Sequence, residues 1–332
     1  MRALVCDHWC DYNDLTVREI PEPEMRPGAV RVRVAAAGVS YSTQIVVAGK
    51  YQRKPPLPFV PGTDIAGTVI DVADDVTGLA PGMRVFAPVD WGGSAEQVIV
   101  DAIHATVLPE SLDLAASIAL PVSYSTAASA LIWRAHLGPG DWLLVHGAGG
   151  GVGLAAVEIA KALGARVIAR AGADKHDVLI SRGADAVIDS AAPSFRDEVL
   201  QLSGGGVQAV LDPLGGAIFD ESLRCLTEGG TLVSIGFVSG KIPEVAANIV
   251  MLKNIAVAGL NWGLYIGWSP GDNRAVYAPR ARALWGQLVD WWQAGKIAPV
   301  VHASYPLADF RAAMGEVRAR RAVGRVVLLP QE

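Results

Sequence analysis

From residue 29 to 35 the sequence AVRVRVA puts Val30, Val32 and Val34 on one side and Arg31 and Arg33 on the other. That period of two belongs to a strand with one buried face. Similar short runs recur at 67–72, 84–89 and 95–100, separated by turn signals such as Pro61-Gly62 and Pro81-Gly82. The first ~110 residues therefore read as mostly β, with one short helix over 41–48.

After Gly140 the texture changes. WLLVH (142–146) is a continuous apolar run ending in glycines, and VGLAAVEIAKALGA follows with Val152, Ala156, Ile159, Ala160 and Leu163 at helical spacing. The alternation continues with RVIAR, a polar helix through Ser181, AVID, a helix over 195–202, VQAVLD, a helix over 218–226, TLVSIG and NIAVAGL. Strands alternating with helices predict a parallel sheet covered on both faces. The tail offers helices over 281–294 and 307–317 and a closing strand, GRVVLL. The expected division is a substrate domain over 1–122, a dinucleotide-binding domain over 123–262, and a segment, 263–332, that rejoins the first domain. A cleft between the domains is expected to hold the ligand.

Composition narrows the class. In 332 residues, 51% are hydrophobic and 18% charged, with mean hydropathy +0.32, which predicts a folded chain rather than a disordered one. The formal charge of −5 provides no basic field for nucleic acid or anionic lipid. Cys6, Cys10 and Cys225 are too few and scattered for a disulfide framework, and MRALVCDHW lacks the longer apolar core of a signal peptide, so a reducing cytoplasm is expected. Two uncharged stretches, 114–133 and 254–271, approach membrane-span length. The first carries Pro121, Thr126 and four serines; the second carries Asn261, Ser269, Pro270 and four glycines. Buried elements of a soluble protein are expected in both, and no membrane association.

The loop Gly147-Ala148-Gly149-Gly150-Gly151-Val152-Gly153 falls between a predicted strand and a predicted helix. Missing side chains there let backbone N–H groups approach a pyrophosphate at the positive helix end. The strand, loop, helix and second strand in order favour this over a merely flexible turn. At the end of the second strand an acid would accept the ribose 2′-hydroxyl of NAD. The chain instead reads Arg170-Ala171-Gly172-Ala173-Asp174-Lys175, with Arg170 and Lys175 suited to a 2′-phosphate, which favours NADPH. Asp174 argues the other way, unless it caps the following turn; a solvated helix charge is the alternative for Lys175.

These residues resemble the medium-chain dehydrogenase/reductase superfamily, and within it the zinc-independent quinone oxidoreductases. The resemblance is carried by AAGVSYSTQIVVAGKY, PFVPGTDIAGTV, PGMRVF, GAGGGVG, DPLGG, SIGF and GRVVL. It implies an α/β protein with a GroES-like β domain, completed by the C-terminal segment, and a Rossmann domain with a doubly wound parallel sheet that forms a homodimer through its last strand, near 254–260. Zinc-dependent relatives carry Cys, His and Cys where this chain has Ser40, Thr63 and Val122; Asp64 alone keeps an acidic match. Ser, Thr and Val cannot supply the ligands of catalytic zinc, and no cysteine cluster exists for a structural one, so no metal is expected. Cys6, His8 and Cys10 would share one face if the first strand ran through them, but a fourth ligand is not evident and buried core cysteines are the simpler expectation.

Without a Lewis acid, reduction needs a cofactor hydride and hydrogen bonds to the oxygen that gains charge. By resemblance, Ser40 and Tyr41 lie near the nicotinamide end, with Tyr41 the best donor to the substrate oxygen, and Thr63 lies on what would be the metal floor. The same resemblance assigns Thr126, Gly150, Gly151, Val152, Ser190, Leu214, Phe237 and Asn261 to the cofactor and directs Arg325 at phosphate. Ser190 replaces the aromatic that many relatives place against adenine. Trp262, Tyr265, Trp268 and Trp91 are candidate walls of a hydrophobic substrate cleft, whereas Trp285, Leu288 and Trp292 read as core. The expected function is NADPH-dependent reduction of quinones or similar conjugated carbonyls. An enone or enoyl-thioester reductase, and a non-catalytic crystallin-like NADPH-binding protein, are the alternatives.

Overall fold

The computed structural model describes residues 1–269 and 271–332; Pro270 lies outside the described residues. The chain forms two compact units, Met1–Val122 with Trp262–Gln293 and Pro299–Glu332, and Ser123–Asn261 with Ala294–Ala298.

The first unit carries strands β1 (Arg2–Val5), β2 (Thr16–Glu19), β3 (Ala29–Val39), β4 (Asp64–Val72), β5 (Arg84–Pro88), β6 (Gln97–Asp101) and β7 (Thr106–Val107), and helix α1 (Tyr41–Val47). The second carries β8 (Trp142–His146), α2 (Gly151–Ala162), β9 (Arg166–Ala171), α3 (His176–Ser181), β10 (Ala186–Asp189), α4 (Arg196–Ser203), β11 (Val207–Asp212), α5 (Ala217–Cys225), β12 (Leu226–Ser234), α6 (Ala247–Lys253) and β13 (Ala256–Gly259). The first unit then resumes with α7 (Arg274–Gln293), β14 (Val301–Pro306), α8 (Phe310–Arg318) and β15 (Arg325–Leu329).

In the first unit a seven-stranded sheet runs β14-β15-β3-β4-β5-β7, with β6 also on β3. Val30, Val32 and Val34 are buried and Arg33 is exposed, as the alternation requires. Past Val34 the pattern stops because β3 becomes buried on both faces: β4 continues along one edge and β15 pairs antiparallel with Ala37–Val39 along the other. Trp285 on α7 is fully buried against Phe86, His104 and Trp262. Trp262 belongs to this unit, one residue before the boundary expected from the sequence.

In the second unit a fully parallel sheet runs β10-β9-β8-β11-β12-β13. Numbered from β8 that order is 3-2-1-4-5-6, the Rossmann order, whose reversal point lies between β8 and β11. Both of those strands are almost wholly buried, which is why they read as continuous apolar runs. The start of α4 is capped from its neighbour: Glu221 on α5 accepts from Ser194 Oγ at 2.6 Å, Phe195 N at 2.7 Å and Arg196 N at 2.9 Å. On α2, buried Glu158 accepts from Tyr124 Oη at 2.6 Å, Arg182 Nη1 at 3.1 Å and Ala298 N at 2.8 Å, fastening Ala294–Ala298 to this unit.

Residues Ala116–Arg134 are long and apolar enough to cross a membrane by length and composition, but 72% of the apolar window is buried inside the protein. Its serines bond locally, Ser117 Oγ to Leu114 O and Ser129 Oγ to Ser125 O. Core burial therefore accounts for its hydropathy.

Candidate functional site

In the second unit the chain leaves β8 through Gly147, whose φ of 61° suits glycine, and Gly150 N donates to Gly147 O at 3.0 Å. Gly150 is the extended N-cap of α2. Close packing explains Gly153, since a β-carbon there would lie 2.7 Å from Ala148 Cα. The first-turn N–H groups, including those of Gly151 and Val152, have no intrahelical partners and form the positive end of a twelve-residue helix. This cradle fits a pyrophosphate.

The neighbouring strand ends complete one edge. Asp212, fully buried, accepts from Leu214 N at 2.8 Å and Gly215 N at 3.1 Å, which folds the DPLGG turn. Burial raises its carboxyl pKa, and those two N–H groups oppose the rise. Val238 N and Ser239 N donate to Pro213 O and Leu214 O, tying the Phe237 loop to that turn, and Phe237 remains 45% exposed. A β-carbon at Gly147 would touch Pro213 and Leu214, so the glycine loop and the DPLGG turn adjoin. Leu260 N bonds Ser234 O, which sets exposed Asn261 just beyond the end of β12. Thr126 is half-buried in the Ala116–Arg134 helix.

The two cations expected at a 2′-phosphate have different fates. Lys175 is buried and its stem lies across Gly149, so a side chain at Gly149 would collide with it. Burial lowers the Lys175 pKa, and Asp174 opposes that shift. Arg170 is a correction: its Nη2 donates to Ser190 O at 2.9 Å and Ala192 O at 3.1 Å, and its guanidinium sits 4.6 Å from the Phe195 ring centre. It braces the sheet rather than facing the loop. Ser190 is exposed beside the end of β9, its N–H donated to Ala171 O. Asp174 is not the expected cap, because the cap position before it is Gly172.

In the first unit Ser40 stands at the N-cap of α1, its Oγ 2.9 Å from Ser42 Oγ and 3.0 Å from Thr43 Oγ1. Tyr41 follows on the first turn and is 40% exposed. Thr63 Oγ1 lies 3.5 Å from Asp64 Oδ1. Asp64 is buried and ion-paired to buried Arg325. Arg325 is therefore a second correction: its charge meets Asp64 inside the β unit instead of a phosphate. Burial pushes the Asp64 carboxyl up, with Arg325 opposing.

Three other expectations change. β1 stops at Val5, so Cys6 is buried while His8 is exposed, and the three ligand-type side chains share no strand face. Trp262, Tyr265 and Trp268 are buried inside the first unit, with the indoles donating to Pro121 O and Val89 O and Tyr265 stacked on Trp262. They are packing rather than open wall. Trp91 does line a cavity of about 690 Å³ in the first unit, with Phe59, Val60 and Val89.

Two groups had no sequence signal. Arg53 pairs with both oxygens of Asp90 at 3.0 Å, between the Trp91 and Trp268 rings. His146, fully buried at the end of β8, has Nε2 2.7 Å from Ser222 Oγ, which itself donates to Ile218 O. The hydroxyl proton being used there, His146 Nε2 is the donor and Nδ1 carries no proton. Neither set of partners is close in sequence.

Two family models match the chain: alcohol dehydrogenase GroES-like domain over residues 26–110, and zinc-binding dehydrogenase over 151–275. The β unit is thus GroES-like, as expected. Quinone oxidoreductase-like protein 2 of Mus musculus is 36% identical over 330 residues, covering 98% of this chain and 91% of its own. Among solved structures, Escherichia coli quinone oxidoreductase complexed with NADPH superposes with a TM-score of 0.89 at 26% identity, covering 99% of this chain and 100% of that one. The quinone oxidoreductase of Thermus thermophilus gives 0.83 at 31% identity, with 99% and 100% covered. On these likenesses, and with a GroES-like unit and a Rossmann sheet of its own, the chain is an oxidoreductase of the medium-chain dehydrogenase/reductase superfamily and belongs to its quinone oxidoreductase family.

Proposed function

We propose that this chain is an NADPH-dependent, zinc-independent reductase of quinones or similar electron-poor conjugated carbonyls. The observation that carries the proposal is Lys175 laid across Gly149 at the cradle, beside a β9 end, Ala171-Gly172, with no acidic side chain of its own, the nearby Asp174 carboxylate lying against Gly172. That combination suits a 2′-phosphate better than a 2′-hydroxyl. The solved relative with NADPH supports the same choice.

The donor set does not fit catalytic zinc. Such a site takes about three N, S or O ligands and an open position. Ser40 and Thr63 offer neutral hydroxyls, Val122 offers methyl groups, and the Asp64 carboxylate is already paired with Arg325. No step is therefore routed through a metal.

NADPH, when bound, supplies the hydride. The first-turn N–H groups of α2 would hold the pyrophosphate, Lys175 would meet the 2′-phosphate, and Leu214, Phe237, Asn261 and Thr126 would border the remainder. Tyr41 donates a hydrogen bond to the substrate oxygen as charge gathers there, while Ser40, tied to Ser42 and Thr43, fixes the start of the helix that carries it. Thr63 supports the same floor. Quinones suit this chemistry because conjugation spreads the charge.

A homodimer through β13 belongs to the proposal: this edge strand pairs only with β12 among the described strands, and the segment leading to it exposes Ile242, Val245, Met251 and Leu252. Three free thiols support a cytoplasmic location.

The test is NADPH oxidation measured side by side with a quinone, an alkenal and an acyl-CoA enone, alongside metal analysis of protein purified without chelator. Quinone turnover without stoichiometric zinc is expected. Preference for the alkenal or thioester moves the assignment to an enone reductase; NADPH binding with every acceptor inert moves it to a non-catalytic, crystallin-like protein. One tight zinc per chain overturns the metal-free mechanism.

A further inference from the structure

We propose that Glu158 is a positioning residue for NADPH, a single buried carboxylate that holds Thr126, the glycine cradle and Lys175 at their mutual spacing. The inference rests on the cofactor reading above and adds to it the group that keeps those three contacts in register.

Glu158 is buried inside the dinucleotide unit, where three donors converge on it. Tyr124 Oη and Ala298 N share Oε2 at 2.6 and 2.8 Å, and Arg182 Nη1 reaches Oε1 at 3.1 Å. Arg182 Nη1 also donates to Ala298 O at 3.0 Å, which closes the cluster.

The cluster touches the three elements that carry the candidate cofactor groups. Buried Tyr124 stands two residues before Thr126 in the Ala116–Arg134 helix. At about 100° per residue, the two side chains leave that helix on nearly opposite sides. The Tyr124 bond therefore fixes the rotation at which Thr126 is presented. Glu158 itself lies in α2, about 10 Å along the axis from Gly151, so the same bonds fix how far the positive end of α2 projects. Arg182 is the C-cap of α3, the six-residue helix whose N-cap is Lys175. One carboxylate thus ties the nicotinamide, pyrophosphate and 2′-phosphate ends together.

Only an acceptor-only group satisfies three donors at once. Burial pushes the Glu158 carboxyl up, and Tyr124, Ala298 and Arg182 oppose the rise. An apolar side chain would pack the same contact without that desolvation cost, so what the carboxylate adds is a defined placement.

Three conservative variants separate positioning from stability, each followed by urea midpoint, by Kd for NADPH and NADH, and by kcat with a quinone. Tyr124→Phe frees the Thr126 helix and should lower kcat on the order of 10- to 100-fold, the effect of a misplacement of about 1 Å. NADPH deuterated at both C4 positions should then give a larger isotope effect than in wild type. Arg182→Met frees α3 and should narrow the advantage of NADPH over NADH by roughly three- to tenfold, part of the loss expected on removing Lys175 itself. Glu158→Gln keeps one carbonyl oxygen for Tyr124 and Ala298 but turns its amide N–H₂ on the Arg182 guanidinium. It should therefore follow Arg182→Met rather than Tyr124→Phe.

Variants with lowered urea midpoints but wild-type kcat, isotope effect and NADPH-to-NADH ratio would reduce Glu158 to a stability role and overturn the proposal. A Glu158→Gln protein that matches Tyr124→Phe would overturn it as well. The affinity ratio needs no turnover. A wild type that favours NADPH yet is inert with quinones would sink the reductase reading, while the Arg182 and Glu158 variants would still decide this one. Equal wild-type affinities for the two cofactors would overturn both.

Discussion

Arg325 reaches Asp64 across β3 because residue 38, between them, has no side chain: a β-carbon at Gly38 would lie 2.5 Å from Asp64 Oδ2. Removing either ion leaves the other buried and unpaired, which costs about 3–5 kcal/mol. Arg325→Met should therefore lower the urea midpoint strongly. The double variant Asp64→Leu with Arg325→Met should recover most of the loss, since replacing a buried pair by apolar groups is often neutral. A single variant as stable as wild type would contradict the pairing.

Cofactor choice is predicted to rest on Lys175. Wild type should bind NADPH more tightly than NADH, and Lys175→Ala should weaken NADPH by roughly 10- to 100-fold, the range of one charge-assisted hydrogen bond, with NADH little changed. Fluorescence titration with both cofactors measures the gap. Equal wild-type affinities would sink the NADPH assignment.

Tyr41→Phe should leave NADPH affinity intact and lower kcat for a quinone on the order of 10²-fold, the effect of removing one donor to a developing oxyanion. Steady-state kinetics decide it; an unchanged kcat would reduce Tyr41 to packing.

The His146 ring should make the protein acid-sensitive well above the carboxylate range. Burial, with Arg170 nearby, holds its pKa down at about 3 against an ordinary 6.5. Above 6.5 the ring is neutral folded and unfolded, so no stability is lost. As pH falls from 6.5 toward 3 the unfolded chain takes a proton that the folded chain refuses, and stability drops by more than about 1 kcal/mol per pH unit. His104, held near 4 by burial, adds in the same direction. Urea midpoints at pH 7, 6 and 5 should fall in order, and His146→Phe should flatten the trend.

The sequence was legible where packing is uniform. β8 and β11 occupy the residues expected from apolar runs, because a buried parallel strand has no polar face to blur its ends. α6 escaped notice for the opposite reason: it buries no residue, so it leaves no periodic stripe. α7 begins at Arg274, not 281, because its first turns are largely exposed, Val276 at 73%. At the site, the glycine loop declares itself through residue types. The partner of a cation does not. Arg170 meets a carbonyl 20 residues on and Arg325 an acid 261 residues back, and no local spacing encodes either pairing.

The hydrogen bonds of Glu158 bear on inheritance and engineering. Because it holds Ala298 N while Tyr124 and Arg182 hold it, the dinucleotide unit borrows five residues from a stretch of chain otherwise devoted to the β unit. A transplant cut at 123 and 261 would leave behind the clasp that seals α2. The heritable module is thus the whole interrupted chain, and chimeras between relatives should exchange 294–298 along with the Rossmann segment.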